Sequence, residues 1–187
     1  MTVTSGDDAG TFYALQSLAQ LYDGDTSSLP LGQAEDAPRY SFRGVHVDVA
    51  RNYHDKAFLL RLIKQMGALK FNKLHLHLAE DEAWRLEIPG LPELTDVGAR
   101  RCLDLEDKTC LLPQLGAGLD PDNQVNGYLS VDDYKEVLQA AQQQHIEVIP
   151  SLDMPGHSRA AIQAMEARYA KFMQQEMPEK AEEFMLI

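Results

Sequence analysis

Three strand-patterned runs, each followed by a helix-patterned one, constrain this chain more than any other feature in it. "RGVHVDVA" sets Val45, Val47 and Val49 against His46, Asp48 and Ala50, the alternation of a strand with one apolar face. "NKLHLHLA" repeats the pattern, with Leu74, Leu76 and Leu78 opposite His75 and His77, and "IEVIPSLDM" supplies a third strand. Behind a capping Asp55, Phe58, Leu59, Leu62, Ile63 and Met66 form a helical apolar stripe. Ser130 and Asp133 have the spacing of a capping box, opening a helix whose Tyr134, Val137, Leu138 and Ala141 face inward. "HSRAAIQAMEARYAKFM" is the helix after the third strand. A further helix is expected over 11–22, with Phe12, Leu15, Leu18 and Tyr22 on one face, before a polar linker. The stretch from about 81 to 129 is rich in Pro, Gly and Asp, and irregular segments this long are usually functional or insertional.

Strands that alternate with helices lie parallel and are joined by right-handed crossovers. That leaves a doubly wound sheet or a (β/α)8 barrel. "DVARNYHD", after the first strand, has no glycine to admit a pyrophosphate, which argues against a dinucleotide site. The three strands instead end in "VARNY", "HLAEDE" and "SLDMPGH", polar and charged where a barrel carries its chemistry. A complete barrel needs eight such units, typically about 250 residues. This 187-residue chain has three, so the expected fold is α/β, roughly the first three β/α units of a TIM barrel.

Composition narrows the partners. A formal net charge of −12 argues against nucleic acid, whose phosphates would be repelled. No apolar run approaches the ~18 residues of a membrane span. "MTVTSGDDAG" has neither the basic nor the apolar region of a signal peptide. Cys102 and Cys110 are either two unrelated thiols or a loop disulfide; their polar surroundings favour the disulfide and an oxidising compartment.

Several residues could carry chemistry. On one strand face, His75 and His77 are open to three readings. They are hydrogen-bonded barrel lining, a zinc pair completed by Asp153 or His157, or direct substrate contacts. Pro155 and Gly156 would bend the chain so that Asp153 approaches His157, and a carboxylate beside an imidazole fixes its tautomer. The plainer reading makes Asp153 a helix cap and His157 a surface residue. Glu80, Asp81 and Glu82 are a solvated run, or place at least one acid in the cleft. Arg43 and Arg51 bracket the first strand, and the C-terminal position favours Arg51 as a fork for sugar hydroxyls, carboxylates or phosphates.

Taken together, Arg-Gly-x-x-x-Asp from Arg43, His-x-x-acid-Asp from His77 and Asp-Met-Pro-Gly-His from Asp153 resemble glycoside hydrolase family 20. The nearest likeness is to bacterial chitobiases, β-N-acetylhexosaminidases acting on chitin oligosaccharides. The resemblance implies that Arg43 binds hydroxyls of the terminal sugar, overruling Arg51. It implies that Glu80 and Asp81 are the acid pair of the sugar site, Glu80 being one methylene longer than the usual aspartate. Asp153 and His157 would support the catalytic acid, His75 and His77 would be framework, and no metal or cofactor would be used. The "RCLDLEDKTCLLPQ" segment resembles the chitobiase disulfide, implying a Cys102–Cys110 bond.

The implied reaction is retaining and assisted by the substrate's own acetamido group. Its general acid and partner aspartate belong to a His-x-Gly-Gly-Asp-Glu motif on the fourth strand, which this sequence does not contain. The chain is therefore expected to be inactive alone. Residues 1–38 resemble the end of a preceding small α/β domain plus a linker, and 39–187 the first part of the catalytic barrel. Open barrel edges predict self-association. The compartment implied is periplasmic or secreted. Two alternatives stay open: a non-catalytic sugar-binding paralogue, and a His75/His77 metal hydrolase.

Overall fold

The structure, a computed structural model, describes residues 2–114 and 125–185. Its centre is a three-stranded parallel sheet in the order β1 (Gly44–Asp48), β2 (Lys73–Ala79), β3 (Glu147–Leu152). The register sets His46 beside His75 and Ile149 beside His75 in turn, and aligns Asp48, His77 and Ser151 across the C-terminal part of the sheet. The parallel arrangement is the one expected from strands separated by helices.

One sheet face is apolar because β2 presents Leu74, Leu76 and Leu78, all fully buried. They meet α2 (Lys56–Ala68) and α4 (Val131–Gln143) through Leu59, Ile63, Met66, Val137 and Ala141. Both helices start where their capping residues stand. The Asp55 carboxylate accepts from Phe58 N at 2.8 Å, and Ser130 and Asp133 form a reciprocal capping box. Leu138, expected to face inward, is instead 37% exposed at the edge of the stripe.

The remaining helices are α1 (Asp8–Leu21), the short α3 (Glu93–Asp96), α5 (Arg159–Gln174) and α6 (Pro178–Glu182). Buried Glu93 joins α3 to α5 by accepting from Arg168 and Lys171, each at 2.7 Å. The helix expected over 11–22 forms, but Tyr22 is already extended and no α1 residue is buried. Its apolar face finds few neighbours: Phe12 packs on His145, and Gln20 and Lys70 bridge to Ala68 O and Ser17 Oγ.

The stretch from 81 to 129 is more ordered than its composition suggests. Besides α3 it holds β-bridges Ala79–Trp84, Leu86–Leu129 and Arg101–Leu111. Part of this expectation, residues 115–124, lies outside the described residues. Cys102 and Cys110 are disulfide-bonded, as expected.

Candidate functional site at the C-terminal strand ends

The three strands deliver their charged tips to one place. At the end of β1, Asp48 accepts from Ala50 N at 2.9 Å and Arg51 N at 3.1 Å, a turn that folds the Arg51 side chain back. Arg51 then bonds Asp48 Oδ2 at 2.6 Å, pairs with Glu80 Oε1, and lies 3.4 Å from Glu82 Oε2. Burial works against the Arg51 charge, but the Asp48 hydrogen bond and the charges of Asp48, Glu80 and Glu82 hold it more firmly protonated than usual. Burial likewise opposes the Asp48 charge. The bonds and charge of Arg51, with a smaller contribution from His77, keep that carboxyl below its ordinary range.

At the end of β2 the chain reverses tightly, Glu80 N bonding Ala83 O and Arg85 N bonding Leu78 O. That reversal tucks Glu80 and Glu82 inside, at 2% and 7% exposure, and leaves Asp81 more open. Buried carboxylates need compensation. Glu80 receives it from Arg51 on Oε1 and, on Oε2, from His157 Nδ1 at 3.0 Å and the Asp81 N–H at 2.9 Å. An ionised carboxylate only accepts, so Nδ1 of His157 carries the proton and Nε2 is the nitrogen left to act.

His157 and Asp153 do not pair with each other as expected. The turn between them directs His157, at φ 57°, onto Glu80. Asp153 lies instead 3.9 Å from His77 Nδ1, and both residues converge on the Glu80 neighbourhood. Asp81 Oδ1 accepts from Arg159 N at 2.9 Å and so caps α5 from another segment, where Ser158 makes no side-chain cap.

Arg43, the arginine that the resemblance favours, lies apart from this cluster. It precedes β1 at the opposite end of the strand, about 16 Å along the chain from where Asp48 begins the cluster. Its guanidinium is engaged there by Lys70 O at 2.7 Å and Tyr40 O at 2.8 Å, and lies over the Tyr13 ring. The arginine within the acid cluster is Arg51, the one strand polarity favours.

His75 and His77 share one hydroxyl, with Ser151 Oγ 2.9 Å from His75 Nε2 and 2.8 Å from His77 Nδ1. A single hydroxyl donates once, so one histidine accepts from it and the other donates to it. Among the described residues, the groups whose ligand atoms converge are His77, Glu80, Asp153 and Glu80, Asp81, His157; His75 is in neither. A cation at either would compete with Arg51 and His157 for Glu80.

Burial, then the charges of His46 and His77, lower the His75 pKa from its ordinary value; Asp153 opposes them more weakly. The unfolded chain therefore binds the proton more readily than the folded one. Stability contributed by neutral His75 is present above about pH 6.5 and is lost as pH falls below it. Melting temperature should drop between pH 7 and 5.5, and less steeply in His75→Gln; equal slopes would refute this assignment.

Two buried arginines that composition does not signal hold the site's floor. Arg85 is fully buried and bonds the carbonyls of Val49, Ala50, Ala99, Val125 and Gly127. Arg101 bonds those of Glu82, Ala50 and Arg51. Arginines are rarely fully buried, so a sequence reader leaves both on the surface.

Comparison with protein-family models matches residues 40–185 to "Glycosyl hydrolase family 20, catalytic domain". β-Hexosaminidase B of Pseudoalteromonas piscicida is 59% identical over 187 residues, all of this chain and 24% of the relative. N,N'-diacetylchitobiase of Vibrio harveyi is 53% identical over 188 residues, again all of this chain and 21% of the relative. The chain thus spans less than a quarter of the length of these curated relatives. In structure it is similar to a family 20 exo-β-N-acetylglucosaminidase of Vibrio harveyi in complex with N-acetylglucosamine. The TM-score is 0.74 at 32% identity, covering 87% of this chain and 25% of that one. A Streptomyces plicatus β-hexosaminidase matches at TM-score 0.67 and 33% identity, over 83% of this chain and 30% of that one.

Proposed function

The chain belongs to glycosyl hydrolase family 20, and on that premise we propose that it forms the sugar-holding half of a chitobiase-like β-N-acetylhexosaminidase site. The observation that carries the reading is the convergence of Arg51, Glu80, His157 and Asp153 at the C-terminal ends of three parallel strands. In a (β/α)8 barrel that end carries the chemistry. We take residues 39–187 as the first part of such a barrel and 1–38 as the end of a preceding domain with its linker.

The substrate would be a chitin oligosaccharide with a terminal N-acetyl-D-hexosamine. Arg51 offers two faces of a planar fork, anchored by Asp48 and Glu80, to the hydroxyls of that sugar. Glu80 fixes the His157 tautomer, so that Nε2 can support a general acid brought by a neighbouring strand. Asp153, beside His77, is the other residue proposed to support that acid. The nucleophile is the substrate's acetamido oxygen, which gives retention. The acid and the aspartate that orients the acetamido group come from a His-x-Gly-Gly-Asp-Glu strand, absent from this sequence. The present chain alone is accordingly expected to be inactive and to self-associate through unpaired strand edges. A periplasmic or secreted location suits the disulfide.

The test is hydrolysis of p-nitrophenyl N-acetyl-β-D-glucosaminide by this chain and by an extended polypeptide continued through the missing barrel strands. Turnover by the extended form only is the expected result. Turnover by neither, with no affinity for N-acetylglucosamine, would overturn the reading; affinity without turnover would favour a non-catalytic sugar-binding protein.

A further inference from the structure

We propose that Asp107, outside the sugar site, is a positioning residue for His157 and acts on it through Arg159; this rests on the hexosaminidase reading above. His157 is 62% exposed, so packing does not fix it. Its place depends on the Glu80 bond and on where the N-terminus of α5 is anchored.

That N-terminus has no cap of its own and is held by two outside carboxylates. Asp81 accepts the Arg159 backbone N–H, and Asp107 Oδ2 accepts from Arg159 Nε at 3.0 Å and also from Nη2. The Arg159–Asp107 pair is mostly buried, with 22% and 16% of the side chains exposed. Arg159 is two residues from His157, so a shift of the pair moves the imidazole relative to Glu80.

Asp107 is itself rigidly presented. It lies in the loop closed by Cys102–Cys110, and its Oδ1 accepts from Leu112 N at 2.5 Å, just beyond the disulfide. The loop is organised inside by Asp104, which accepts from the backbone N–H groups of Glu106, Lys108 and Thr109 and from the Thr109 hydroxyl. Those bonds, the Thr109 backbone first, hold the Asp104 carboxyl below its ordinary range. The path from disulfide loop to site is Asp107, Arg159, His157, Glu80. Each link is a charged hydrogen bond or two residues of backbone.

The experiment is steady-state kinetics of Asp107→Asn and Arg159→Lys in the extended polypeptide. Asp107 has φ 53°, a conformation asparagine also tolerates, so Asp107→Asn removes the charge without forcing the turn. A misplacement of about 1 Å can cost up to 100-fold in rate, so kcat should fall roughly tenfold or more while KM stays within about twofold. Arg159→Lys, which keeps the charge but not the fork, should fall between wild type and Arg159→Met. Wild-type kcat in Asp107→Asn, or kcat and KM changing together in step with melting temperature, would overturn the proposal. An inactive wild-type extended polypeptide would instead overturn the functional reading on which it rests.

Discussion

Replacing Glu80 by glutamine in the extended polypeptide should lower kcat by roughly 100-fold or more, within the 10²–10⁴-fold typical of positioned acid–base machinery. Glutamine has nearly the shape of glutamate, so the tight reversal after β2 is retained. What goes is the charge that Arg51 and His157 share across two oxygens. An amide either accepts or donates at each end, so the preference for an Nδ1-protonated His157 is lost with it. The fold should survive, because Asp48 and Glu82 still face Arg51 and one buried negative charge has left a crowded cluster. Kinetics with a melting curve on the same preparation checks this. A rate within threefold of wild type would mean that Glu80 organises nothing in the reaction.

Replacing Arg85 by methionine should cost about 3–5 kcal/mol of stability, since it leaves buried carbonyls without donors. Five carbonyls meet that one guanidinium, two at the end of β1 and three from the 99–127 segment, of which Ala50 O keeps Arg101 and Ala99 O keeps the Gly127 N–H. Burial, then the like charge of Arg101, pushes the Arg85 pKa down to about 9, still high enough to keep it charged at neutral pH. Tyr53 stacks on the same group, and a side chain at Gly127 would strike that ring, its Cβ 2.5 Å from Tyr53 Cε1. The packing therefore does not admit a substitute donor. Urea unfolding should show the loss directly, and Arg85→Lys should recover only part of it. A methionine variant within 1 kcal/mol of wild type would show that the carbonyls find other donors. Losing this tether should also disturb Arg51, which follows Val49 and Ala50 in the chain.

The strands and the helices α2 and α4 were legible because period and capping residues agree there: Asp55 and Ser130 start their helices where the apolar stripes begin. The family was legible from three short motifs. The roles within the site were less so. Likeness to the Arg-Gly motif pointed to Arg43, whereas strand polarity alone favours Arg51, and it is Arg51 that meets the acid cluster. Asp153 and His157 looked like partners because only three residues separate them. The turn sends His157 across to a residue far away in sequence, a pairing that no local spacing encodes. Arg85, Arg101 and the Asp107–Arg159 pair were invisible for a related reason. A buried cation satisfied by carbonyls or by a distant carboxylate leaves no periodic trace.

The claim that the sugar is held at the C-terminal strand ends is tested most directly by comparing Arg51→Ala with Arg43→Ala in the extended polypeptide. Steady-state kinetics on p-nitrophenyl N-acetyl-β-D-glucosaminide would be run on both, at matched folded fractions. A hydrogen bond from a charged group is worth about 1.5–3 kcal/mol, so Arg51→Ala should lose at least about tenfold in kcat/KM. Arg43→Ala should keep wild-type kcat/KM per folded molecule. The opposite ranking would place the sugar at the other end of the sheet and contradict the account.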